Sequence, residues 1–232
     1  MVLFAATLVR AALGFGEALV AVPLLALIIP IQVAAPVAVL ISITVAAAML
    51  VQDWRYLHLR SAIWLILFTV IGTPLGLLLL TQVPTNIVKA CLGLVIAAFS
   101  LYGLLRRQVV ALKDDRLVWA FGVGAGVLGG AYGMNGPPLA IYGALRGWST
   151  QRFRATLQGY FLVASMIAMA GYWLSGLWTA SVTHYYLASL PGVIVATPLG
   201  RLVTARTDTR VFLRYVNLGL LLIAAALFAE AL

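Results

Sequence analysis

Charged residues are scarce in this chain, only 9% of 232 against roughly 25% in an average soluble domain. A water-facing surface needs polar atoms, and a composition that is 64% hydrophobic with a mean hydropathy of +1.09 cannot supply them. This excludes an ordinary soluble enzyme and a disordered segment. Cysteine is nearly absent as well: Cys91 stands alone inside an apolar run, so no internal disulfide forms and its reading is a small packing residue. The two histidines, His58 and His184, come without a cysteine or carboxylate cluster, and there is no HExxH or GxSxG. No catalytic or metal constellation emerges, no cofactor is implied, and the chain reads as a non-enzyme. A GxGxxG match at 124–129 follows no strand and carries no weight. The first apolar run lacks a basic leader and has Glu17 in its middle, so no cleavable signal peptide is expected.

What the chain does contain is continuous apolar runs, at roughly 2–29, 34–51, 61–80, 86–105, 117–145, 155–174, 183–200 and 211–229. Each is long enough to cross a hydrocarbon layer about 30 Å thick. Barrel strands would alternate apolar and polar residues, which these runs do not. The expectation is an all-α polytopic membrane protein embedded in lipid.

Runs 2–29 and 117–145 are longer than one crossing needs, and both are interrupted by glycine: Gly14-Phe15-Gly16-Glu17 in one, Gly133-Met134-Asn135-Gly136-Pro137-Pro138 in the other. They also hold matching places in an internal repeat. RAALGFG (10–16) aligns with GGAYGMN (129–135), and GTPLG (72–76) with ATPLG (196–200). The chain therefore divides into an N-terminal repeat, 1–105, a connecting loop, 106–116, and a C-terminal repeat, 117–232.

The net charge of +9 would suggest nucleic acid for a soluble protein, but here the basic residues sit between apolar runs and report orientation instead. Segments 52–60, 106–116, 146–154 and 201–214 hold thirteen of the fifteen Lys and Arg residues, while 30–35, 81–85 and 175–182 hold none. The positive-inside rule places the four basic segments in the cytoplasm of an inner-membrane protein. Segments 106–116 and 146–154 then lie on one side with a single apolar run between them. Run 117–145 must enter and return, as a re-entrant or broken helix pair, and by symmetry so must run 2–29. Three transmembrane helices follow each pair, an odd number, so the two repeats have inverted topology. Two straight tilted helices are the alternative.

A backbone break in mid-membrane has to line a cavity or be buried in protein. Asn135 or Gly136 suits an N-cap, and Pro137 and Pro138 suit the first turn of a helix, where the N–H groups have no partner anyway. Gly14 and Gly16 permit the same for a helix starting near Glu17. Two helix N-termini converging from opposite sides make an anion site; close glycine packing is the competing reading, supported by Gly122, Gly126, Gly130, Gly72 and Gly76. Glu17 is the one acid deep in an apolar run. It is read either as a proton carrier, or as a first-turn acid at a helix dipole or the partner of Arg10. Arg10 is expected near an interface, snorkelling, rather than on substrate. Arg154 and Gln158, at i, i+4, are placed to draw an anion from the cytoplasm, with a topology role as the other reading of Arg154. Ser42, Thr44, Thr156 and Asn217 read as helix–helix hydrogen-bonding groups.

GFGEALVAVPLL (14–25), GMNGPPLAIYGAL (133–145), RAT (154–156) and the paired TPLG segments together resemble the TauE/SafE family of sulfite exporters and sulfonate permeases, over nearly the whole chain. The family's Gly-x-Gly-Gly-Gly pattern is altered at both breaks, by Glu17 in the first and by Asn135 and Pro137 in the second. The resemblance implies secondary transport of sulfite or an organic sulfur anion such as a sulfonate or sulfoacetate. Gly14, Gly16, Glu17, Asn135, Gly136, Pro137, Arg154 and Gln158 are the candidate binding residues, with a coupling proton as a further partner. A carboxylate transporter on the same scaffold and a passive anion channel are the alternatives.

Overall fold

The computed structural model describes the backbone of residues 1–105, 114–206 and 209–231, with side chains over the same stretches apart from 53, 201–213 and 231. Arg106, Arg107 and Lys113 of the connecting loop, and the side chains of Arg201, Arg206 and Arg210, lie outside the described residues.

Among the described residues all regular structure is helical. Short α1 (Val2–Leu13) and α2 (Glu17–Ala26) are followed by long α3 (Ile31–Asp53), α4 (Leu59–Gln82) and α5 (Thr85–Leu105). Short α6 (Val118–Tyr132) and α7 (Gly136–Leu145) are followed by long α8 (Thr150–Leu174), α9 (Ala180–Arg206) and α10 (Thr209–Ala231). Both interruptions thus fall where the glycines predict them. Ile31–Gln52, Leu59–Gln82, Thr85–Leu105 and Thr150–Leu174 are long and apolar enough to span a membrane. Ile63, Leu67, Val70, Ile71, Leu75 and Leu78 of α4 are exposed. In water such a stripe would be a liability, and in lipid it is the solvent-facing surface.

The paired short helices are hairpins, not kinked rods. At 1.5 Å per residue, a continuous helix would hold Phe121 and Tyr142 about 30 Å apart. Their ring centroids are 5.4 Å apart. Asp115, just before α6, accepts a hydrogen bond from the Tyr142 hydroxyl (2.5 Å) and forms an ion pair with Arg146 Nε (3.2 Å), so both ends of the α6–α7 hairpin lie on the same face of the protein. The α1–α2 pair folds back likewise: Thr7 Oγ1 donates to Glu17 Oε1 at 2.8 Å, a contact that ten residues of straight helix, about 15 Å, would forbid.

Glycine conformation makes the reversals possible. Gly14 (φ 86°) ends α1 and Gly133 (φ 66°) ends α6, each in the left-handed region, with Gly14 N donating to Arg10 O and Met134 N to Leu128 O. A side chain at either position would be strained.

Elsewhere glycine sets helix spacing. Alpha-4 crosses α6 with Gly72 and Gly76 against Gly122, Gly126 and Gly130, so close that a Cβ at Gly126 would lie 2.5 Å from the Thr69 carbonyl oxygen. Alpha-9 crosses α1 in the corresponding way, where a Cβ at Gly200 would lie 2.5 Å from Ala11 Cβ. The TPLG segments serve both crossings. Each puts a proline inside its helix, and the preceding threonine donates one turn back, Thr73 to Thr69 O and Thr197 to Val193 O. Alpha-3 packs on α8 and α5 on α10, completing the arrangement around the hairpins.

Candidate functional site

The two hairpin tips meet. A Cβ added at Gly136 would stand 3.6 Å from the Phe15 ring and 3.9 Å from the backbone nitrogen of Gly16. Alpha-2 begins at Glu17 with Gly16 as its N-cap (φ 97°), and α7 begins at Gly136 with Asn135 as its N-cap. Neither cap uses its side chain on its own helix. Two sets of first-turn N–H groups, with their positive dipole ends, therefore converge within the protein.

A small cavity of about 20 Å³, room for roughly one water, lies between the tips. Its lining includes Gly16, Glu17, Asn135, Gly136 and Pro137, together with Arg10, Ser42 and Phe161. Five of the eight residues expected from the sequence are thus brought to one place.

Gln158 joins them indirectly. It is fully buried, accepts from Arg10 Nη2 at 2.8 Å and donates to the Gly14 carbonyl at 2.7 Å, stapling α8 to the first tip. Gly14 packs against the Arg154 side chain, which donates to the Ala11 carbonyl at 2.9 Å and so helps close the C-terminus of α1. Arg154 lines a second, larger cavity of about 390 Å³ bounded by Phe15, Phe99, Tyr102, Trp148 and Phe153. Gly16 and Leu19 border both cavities. Phe15 stands edge-on to Phe99 (6.3 Å) and Phe153 (6.0 Å) in the wall of the larger cavity.

Arg10 corrects the sequence reading. It is 2% exposed, far from snorkelling at an interface. Its Nη1 pairs with Glu17 Oε2 at 2.6 Å and donates to Ser42 Oγ at 2.9 Å, and its guanidinium lies 5.0 Å from the centroid of the Phe161 ring. The physical reason is the hairpin: reversal at Gly14 carries residue 10 inward, close to the tip, where only a partner makes its charge tolerable. The Glu17–Arg10 pairing given as one reading of Glu17 is the one observed. Ser42 makes the helix–helix bonds expected of it, accepting from Arg10 of α1 and from Ser165 of α8 at 3.1 Å, and it also lines the small cavity. Thr44 makes the expected helix–helix bond, with Tyr186 of α9 (2.8 Å), whereas Thr156 accepts from the backbone N of His58 (3.1 Å), the residue that precedes α4. The signal that would have found Arg10 was already present: Thr7, Arg10 and Glu17 are the polar residues of an otherwise apolar run.

Compared with known families, residues 1–228 match the model described as Sulfite exporter TauE/SafE. The chain belongs to the TauE/SafE family. No curated protein and no solved structure matches it. As a TauE/SafE protein it is a multi-pass membrane transporter of the sulfite-exporter type rather than an enzyme. Within the TauE/SafE chain, the buried Arg10–Glu17 pair lies where the two hairpin N-termini converge.

Proposed function

We propose that this TauE/SafE protein is a secondary transporter that moves a small sulfur-containing anion, such as sulfite, a sulfonate or sulfoacetate, across the cytoplasmic membrane, holding it between the hairpin tips. The observation that carries the reading is the approach of Gly16 and Gly136, which aims two helix N-termini and the Arg10 guanidinium at one cavity. An anion with three oxygens can accept from all three.

Alternating access between inverted halves, 1–105 and 117–232 joined by 106–116, accounts for the arrangement. Three long helices separate one hairpin from the next, so the hairpins open to opposite sides. The face bearing both ends of α6–α7 also carries Arg116, Arg146 and Arg152, which orients it to the cytoplasm. The reciprocal crossings of α4 on α6 and α9 on α1 fit a two-fold relation between halves. The larger cavity then serves as a cytoplasmic vestibule, with Phe15 in its wall. A cavity of about 20 Å³ at the tips favours a carrier that must rearrange over an open channel.

The test is binding to the purified protein in detergent, titrating sulfite, sulfoacetate and a matched carboxylate. Saturable binding selective for the sulfur anions is expected. Asn135→Ala, which removes a buried polar group at the tip of α7, is expected to weaken it about tenfold or more, the worth of one hydrogen bond to a charged ligand. Undiminished affinity in a folded Asn135→Ala protein counts against the site, and equal binding of all three against the substrate.

A further inference from the structure

We infer that Glu17 acts as an internal counter-anion: it holds Arg10 in the empty transporter and yields it to the incoming anion by taking up a proton, so that anion and proton bind together. The inference rests on the hairpin-tip cavity being the anion site.

Charge balance carries the argument. Arg10 and Glu17 are each 2% exposed and pair at 2.6 Å, so the empty site is neutral. An anion entering alone would leave one uncompensated negative charge deep in the protein, a state that buried sites avoid by pairing or neutralising. An anion entering with one proton leaves the site neutral. Space gives the same answer, since a cavity that holds about one water cannot take a three-oxygen anion while the carboxylate stays against Arg10.

The surrounding bonds suit an exchange of partners. Thr7 Oγ1 donates to Glu17 Oε1 at 2.8 Å, a bond that the carbonyl oxygen of the protonated acid can still accept. Ser42 and Gln158 hold the guanidinium by Nη1 and Nη2 independently of Glu17. Arg10 Nε is buried with no hydrogen-bond partner, a donor left for a ligand. The proton goes to Oε2 of Glu17, the Nη1–Oε2 ion pair opens, and the anion takes its place on Arg10. No covalent bond changes in the substrate.

Few other groups could carry this proton. Alpha-3 brings no titratable side chain over 31–52, α7 brings only Tyr142, which is bonded to Asp115, and α8 faces the pair with Gln158. On α5 and α10, Lys89 and Glu230 pair with each other at 2.7 Å. Neither Cys91 nor Tyr102 of α5, nor Arg214 or Tyr215 of α10, is a hydrogen-bond partner of Glu17, whose partners are Thr7 and Arg10.

The experiment measures proton uptake by the full-length protein in weakly buffered detergent as methanesulfonate, a permanently ionised probe, is added, with sulfite as a second probe. Uptake of about one proton per anion is expected near neutral pH. Affinity should fall by up to about tenfold per pH unit as pH rises, as uptake of one proton with each anion requires. Glu17→Gln is expected to bind without proton uptake, with an affinity independent of pH for methanesulfonate, and to gain more thermal stability from the anion than the wild type does. Wild-type binding without proton uptake overturns the inference and leaves the anion site standing; it needs no variant to fold. Loss of binding in a folded Glu17→Gln protein overturns it as well, because Glu17 would then be a substrate ligand. Failure of the wild type to bind either probe at any pH removes the anion site itself, and the inference with it.

Discussion

Arg10→Ala is expected to abolish anion binding and to destabilise the protein by about 3–5 kcal/mol, the cost typical of breaking a buried ion pair from one side. The change leaves the Glu17 carboxylate buried without its cation and strips the Gln158 amide oxygen of its donor. It also removes the bonds from Arg10 to Ser42 of α3 and Gln158 of α8, leaving the Gln158–Gly14 and Arg154–Ala11 bonds to hold the first hairpin. Thermal unfolding in detergent reads the first effect and anion titration the second. Arg10→Lys should recover part of the stability and little of the binding, because one ammonium cannot reach Glu17, Ser42 and Gln158 in the fork geometry of a guanidinium. The double change Arg10→Leu with Glu17→Leu should be less destabilised than Arg10→Ala, since no charge is stranded. An unfolding temperature unaltered in Arg10→Ala would mean that the pair is not formed in the folded protein.

A second large effect is expected where no ligand is involved. Gly126→Leu should lower stability by about 3 kcal/mol or more, at or beyond the usual range for overpacking, and drive the protein into aggregates on size-exclusion chromatography. The site has no space to give: a Cβ there already falls 2.5 Å from the Thr69 carbonyl and 2.9 Å from the Thr73 nitrogen, both backbone atoms of the facing helix. Relief requires α4 and α6 to separate along a contact that also includes Gly72, Gly76, Gly122 and Gly130. Gly219→Ala is the control, because nothing lies within 4 Å of a Cβ at that position and its helix gains propensity. A monodisperse Gly126→Leu protein of unchanged stability would show that the crossing is looser than described. Both glycine readings weighed from the sequence therefore have a place in this chain: Gly72, Gly76, Gly122, Gly126 and Gly130 pack helices, while Gly14, Gly16 and Gly133 turn the backbone.

Much of the hairpin geometry was legible because it depends on neighbours in the chain. Gly-Phe-Gly-Glu and Gly-Met-Asn-Gly-Pro-Pro stop one helix and start another by φ preference, missing N–H groups and capping, all of which act within a few residues. The return of run 117–145 was legible for a different reason: basic segments 106–116 and 146–154 flank it, and the positive-inside rule puts both on one side. Asp115, accepting from Tyr142 and paired with Arg146, is the structural counterpart of that inference.

Arg10 was misplaced because, read along the chain, it is a lone cation in an apolar run, and a long cationic side chain there is expected to snorkel to a membrane surface. Its depth is decided by a turn that points α1 inward and by partners 32 and 148 residues away, Ser42 and Gln158. Arg154 and Gln158 are similar: their i, i+4 spacing was visible, but what they touch, Ala11 and Gly14, belongs to the opposite end of the sequence.

The sequence by itself determined that this is a helical membrane protein of the TauE/SafE family with two broken runs, because apolar length, backbone conformation and charge are properties of contiguous residues. Only the tertiary structure decided that Arg10 and Glu17 neutralise each other between the hairpin tips. Burial makes a partner compulsory for a charge, but which group supplies it depends on where distant helices cross.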